Sequence, residues 1–84
     1  MDHPDYTDDQ VTEALNVARA AHPSRNVIVS YNRGYGRLTF AFDAAVIGEW
    51  CFTIKVFVRG LTPAEAGKEA ADAAQEVYAE HALK

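Results

Sequence analysis

Residues 50–67, WCFTIKVFVRGLTPAEAG, decide how this chain folds, because the hydrophobic period changes within them. Trp50, Phe52, Ile54, Val56 and Val58 alternate with Cys51, Thr53, Lys55, Phe57 and Arg59, the period-two signature of a strand with one apolar face. Gly60 breaks the run. Thr62-Pro63-Ala64-Glu65 then reads as a helix start: the threonine hydroxyl caps the third helical amide, Glu65 reaches back, and Pro63 stands where a missing N–H costs nothing. From there Ala66, Ala70, Ala73, Ala74, Val77 and His81 recur at helical spacing and predict the inward side of a long second helix.

Upstream, the same grammar gives a first helix and two more strands. Thr7-Asp8-Asp9-Gln10 fits a capping box, Tyr6 and Val11 are spaced for the hydrophobic staple across it, and Asp8 and Asp9 suit the positive end of the helix dipole. Val11, Ala14, Leu15, Ala18 and His22 form the inward stripe, and Pro23 ends the helix. Val27, Val29 and Tyr31 alternate with Ile28, Ser30 and Asn32, and Leu38, Phe40 and Phe42 alternate with Arg37, Thr39, Ala41 and Asp43. The links NRGYG (32–36) and AAVIG (44–48) are short enough for hairpins, with Gly34 and Gly36 supplying positive φ in the first. The expectation is one α+β domain over residues 1–84, in α-β-β-β-α order, with a three-stranded antiparallel sheet, both helices on its apolar face, and residues 1–5 flexible.

At 84 residues with 49% hydrophobic content, the chain supports a single core. No apolar run approaches the ~18 residues needed to span a bilayer, and the acidic start MDHPDYTDD is unlike a signal peptide, so a cytoplasmic protein is expected. Cys51 is the only cysteine, and His3, His22 and His81 lack a second ligand at helical spacing. No disulfide, metal or cofactor is expected. His22 and His81 read as structural, Cys51 has no neighbouring general base, and Asp8 and Asp9 are explained by capping. No catalytic constellation remains, so the chain reads as non-catalytic.

The net charge of −4 is unevenly spread. Residues 1–13 carry five acids and neither lysine nor arginine, residues 14–60 carry six cations against two acids, and residues 61–84 carry five acids against two lysines. Two candidate surfaces follow. Glu65, Glu69, Asp72, Glu76 and Glu80 fall on one stripe of the second helix, with no interleaved lysine to relieve their repulsion, as a partner supplying the cations would explain. The alternative is basic: Arg33, Tyr35 and Arg37 of YNRGYGRL (31–38), with outward-facing Lys55 and Arg59, could hold phosphates and stack bases. Each set also suits an ordinary solvated surface. Ile28, Ala41, Cys51 and Phe57 add apolar character to the outer sheet face and invite a homodimer.

The order α-β-β-β-α and the stretch RGLTPAEAGKEAADAAQ (59–75) resemble double-stranded-RNA-binding domains, where a glycine and a capping threonine precede an alanine-rich second helix. Those domains grip phosphates with lysines at the start of that helix. Here the matching positions are Glu65, Lys68, Glu69 and Asp72, so the resemblance supports the topology and argues against RNA binding. In small size, a single acidic domain and the lack of catalytic equipment, the whole chain also resembles the inhibitors that bacteriophages make against host defence, the anti-CRISPR proteins among them. That resemblance transfers no residue. It implies a protein that acts in the bacterial cytoplasm by blocking a nucleic-acid-binding surface of a larger complex, such as a CRISPR effector, with direct nucleic-acid binding disfavoured.

Overall fold

The computed structural model describes residues 6–43 and 51–82. The elements follow in the order α1 (Asp8–Ala21), β1 (Val27–Asn32), β2 (Arg37–Asp43), β3 (Cys51–Phe57) and α2 (Pro63–Ala82). The strands form one antiparallel sheet in the order β1-β2-β3. The expected link at 44–48, Trp50, residues 1–5 and the side chains of Cys51 and His81 lie outside the described residues.

Both helix starts use the boxes written in the sequence. At α1, the Gln10 amide donates to Thr7 Oγ1 at 3.2 Å and the Thr7 amide donates to Gln10 Oε1 at 2.8 Å. At α2, the Glu65 amide donates to Thr62 Oγ1 at 3.1 Å and the Thr62 amide donates to Glu65 Oε1 at 2.8 Å. Each box satisfies amides that the helix itself leaves without partners. The strands meet as the alternation requires. Leu38 lies opposite Tyr31 and Val56, Phe40 opposite Val29 and Ile54, and Phe42 opposite Val27 and Phe52. Leu38, Phe40 and Phe42 are fully buried, while Ile28 and Phe57 on the other face are exposed.

The turn between β1 and β2 differs from the sequence expectation in one detail. Only Gly36 has positive φ, at 60°, and its carbonyl accepts from the Val58 amide at 2.9 Å, which fastens the turn to the end of β3. Gly34 does not use that region. Gly60, with φ at 80°, turns the chain from β3 towards α2.

Helix α2 is turned by about half a residue step, roughly 50°, from the face expected. Ala66, Ala70 and Ala74 are buried as anticipated, but so are Gly67, Ala71 and Tyr78, whereas Ala73 and Val77 are only half-buried. Gly67 explains the rotation. A Cβ at this position would overlap the Ala14 carbonyl oxygen and lie 2.8 Å from Val17 Cβ, so the helices cross closely there only because the side chain is absent. Tyr78 joins a cluster of rings beneath the helices: Phe42 stacks on Phe52 with centroids 5.5 Å apart, and Tyr78 meets Phe52 edge-on at 5.2 Å. His22 packs against Phe42 and Tyr78 at 5.8 and 5.4 Å and donates from Nε2 to the Ala71 carbonyl at 2.9 Å. Its structural assignment therefore stands on named contacts.

Tyr6 locks the opposite end. Its hydroxyl donates to the Leu61 carbonyl at 2.6 Å, and its amide donates to the Tyr31 hydroxyl at 3.1 Å. The Tyr78 hydroxyl similarly donates to the Asp43 carbonyl at 2.6 Å. Burial holds both phenols above the ordinary tyrosine pKa, because the phenolate would lose its hydration.

Candidate interaction surfaces

Two surfaces point in opposite directions, since both helices cover one face of the sheet. The first is the outer side of α2. Glu65, Glu69, Asp72, Glu76 and Glu80 are all exposed there. They span 15 residue steps, about 22 Å of helix, or one carboxylate per ~5–6 Å. A single DNA strand carries one charge per ~3.4 Å, so the carboxylates are spaced more widely than the charges of a phosphate backbone.

The five acids are not equivalent. Glu65 is occupied as the capping partner of Thr62. Asp72 accepts from Lys68 Nζ at 2.8 Å, a pair one helical turn apart that raises the Lys68 pKa through the hydrogen bond and the nearby negative charge. A lysine is thus interleaved in the stripe, contrary to the sequence reading, although Lys before Asp is the less favourable order for such a pair. Glu69, Glu76 and Glu80 have no hydrogen-bond or ion-pair partner among the described residues. They are the acids left for an external cation. Lys68, tied to Asp72, is also the one cation at the positions where double-stranded-RNA-binding domains place lysines.

The second surface is the outer sheet face. The register sets Arg37 opposite both Asn32 and Phe57, Thr39 opposite Ser30 and Lys55, and Ala41 opposite Ile28 and Thr53. The large apolar side chains most exposed among the described residues, Ile28, Tyr35 and Phe57, all belong to this face or its turn, at 65%, 69% and 61% exposure. Tyr35, Gly36, Phe57, Val58 and Arg59 line a pocket of about 220 Å³. The Arg37 guanidinium lies 5.4 Å from the Tyr35 ring centroid, within cation–π range, and its buried Nε has no hydrogen-bond partner among the described residues.

Of the residues picked from the sequence for the basic surface, Tyr35, Arg37, Lys55 and Arg59 share this face or its rim. Arg33 does not. Its guanidinium turns towards the helix-covered side, donating to the Tyr6 carbonyl at 3.2 Å, lying 3.5 Å from the Asp8 carboxylate and resting 5.2 Å from the Tyr31 ring centroid. It ties the hairpin to the start of α1. Phe57, noted in the sequence only as apolar, is the contributor to this site that the basic pattern missed; its register pairing with Arg37 is the signal that finds it.

Among the described residues no group of three or more His, Cys, Asp or Glu side chains is placed to hold a metal ion, and no helix is long and apolar enough to cross a membrane. No protein-family model matches the chain, and neither the curated proteins nor the solved structures include a significant match.

Proposed function

We propose that this chain is a non-catalytic binding domain whose α2 carboxylates occupy a basic, normally nucleic-acid-holding groove of a larger complex, an inhibitory mode like that of phage anti-CRISPR proteins. What supports the reading is the exposure of Glu69, Glu76 and Glu80 without internal partners along one rigid helix. A desolvated contact between such acids and lysines or arginines gives specificity and orientation, because a wrong partner leaves the carboxylates buried and unpaired. Glu65 and Asp72 contribute to the field while remaining tied to their own helix. On this reading the place of action is the cytoplasm of a bacterial host.

The test is displacement of labelled DNA from purified CRISPR effector complexes by the wild-type chain and by the double variant Glu69→Lys/Glu76→Lys. The wild type should displace DNA, and the double reversal should weaken displacement roughly tenfold or more with an unchanged circular dichroism spectrum. Equal displacement by the variant would refute the site, and no displacement by the wild type would refute the inhibitory role.

A further inference from the structure

We infer that the outer sheet face is a second binding site, independent of α2, and that it takes single-stranded nucleic acid by stacking a base against Tyr35 and Phe57 while Arg37, Lys55 and Arg59 hold the backbone. Two observations converge on it. The pocket of about 220 Å³ between Tyr35, Gly36, Phe57, Val58 and Arg59 is bounded by two exposed rings, the feature that sequence-tolerant single-strand binders use to receive the face of a base. The charge of the face has one sign where the rings are: Arg37, Lys55 and Arg59 are cations, and its only carboxylate among the described residues, Asp43, lies at the far end and accepts from Asn26 Nδ2 at 2.8 Å.

The stage is rigid enough to serve. The Gly36 carbonyl is bonded to the Val58 amide, so turn and strand end do not part, and Arg37 and Phe57 are register partners. Lys55 stands two residues along β3 from Phe57, about 7 Å, on the same face. A duplex offers no unstacked base to the rings, which selects the single strand. A second copy of the chain would bring an excess of cations against another excess, a poor match for so small a face.

The test is fluorescence anisotropy with a labelled oligothymidine of about 12 nucleotides, the same strand as a duplex, and polyglutamate as a competitor, at low and moderate salt. The expected result is binding of the single strand that weakens with salt, is at least about fivefold weaker for Tyr35→Ala and again for Phe57→Ala, and is lost in Arg37→Gln/Arg59→Glu. Both rings are exposed, so the alanine variants should melt with the wild type, which a thermal scan verifies. The α2 double reversal should leave this binding no weaker, which separates the site from the acidic one. No binding at low salt, equal binding of the duplex, unchanged affinity in both ring variants, or displacement by polyglutamate at equivalent charge would each overturn the inference, the last in favour of an acidic protein segment. A doubled mass in solution without oligonucleotide binding would assign the face to a second copy instead.

Discussion

Replacing Gly67 by alanine should destabilise the protein, although the same change in an exposed helix interior is favourable. Alanine is preferred over glycine in a helix by about 1 kcal/mol. Against this, the added methyl would overlap the Ala14 carbonyl oxygen and lie 2.8 Å from Val17 Cβ. Ordinary carbon contacts begin near 3.5 Å, so α1 and α2 must separate by roughly 0.7 Å or more. A gap of that size forfeits about a quarter to a half of each dispersion contact across the crossing; for some 20–40 atom pairs at ~0.15 kcal/mol each, the loss is about 1–3 kcal/mol. Alanine side chains at the crossing cannot swing aside to absorb it, and the obstructing oxygen belongs to backbone. After the propensity gain the net cost is about 0–2 kcal/mol, centred on ~1 kcal/mol, in a fold worth about 4–13 kcal/mol in total. In thermal denaturation followed by circular dichroism, the ~1 kcal/mol at the centre of that range corresponds to a Tm lowered by about 4–8 °C. Gly34→Ala is the control, since its Cβ would meet only Asn32 Oδ1 at 3.4 Å and positive φ is not required. A Gly67→Ala protein melting at or above the wild type would refute the close crossing as the determinant of the helix pair.

Removing the imidazole in His22→Ala should cost about 2–3 kcal/mol by urea denaturation, because a hydrogen bond to Ala71 and edge contacts to two rings are lost together. Tyr78→Phe keeps the ring contacts and loses only the bond to the Asp43 carbonyl, so about 1 kcal/mol is expected from the same measurement. Tyr6 and Tyr78 have raised pKa values in the fold, so their contribution to stability is complete below the unfolded tyrosine value near ~10 and is lost as pH climbs through the folded values. Denaturation midpoints should fall above about pH 10, and less steeply in Tyr6→Phe/Tyr78→Phe compared with its own neutral-pH midpoint.

The strands and both helix starts were legible because their signals are binary: apolar or polar, capped or not. The face of α2 was harder to read. Alanine occupies positions 64, 66, 70, 71, 73, 74, 79 and 82, nearly all round the helix, so periodicity carries little contrast there. The deciding residues are the extremes of size, Gly67 and Tyr78, and their role depends on α1, far away in sequence. The same limit separated Arg33 from Arg37. Composition grouped them, whereas the register sends Arg37 outward opposite Phe57 and the turn returns Arg33 to Tyr6 and Asp8. Lys68 beside Asp72 was visible at helical spacing, but the reading of the carboxylates as a set obscured it.

The crossing of α1 on α2 has a consequence in time. The two hairpin pairings join strands that are neighbours in sequence, so the meander can zip up from local contacts. The helix pair cannot, because Ala14 meets Gly67 across a long separation in sequence that holds all three strands. During synthesis, which proceeds from the amino end, α1 can settle on β1, but the side of α1 that meets α2 and the part of the sheet's inner face beside β3 stay uncovered until α2 is made. Among the described elements α2 is made last and closes the fold, so a ribosome stalled before α2 would present the half-covered sheet and the open side of α1 to the cell's chaperones.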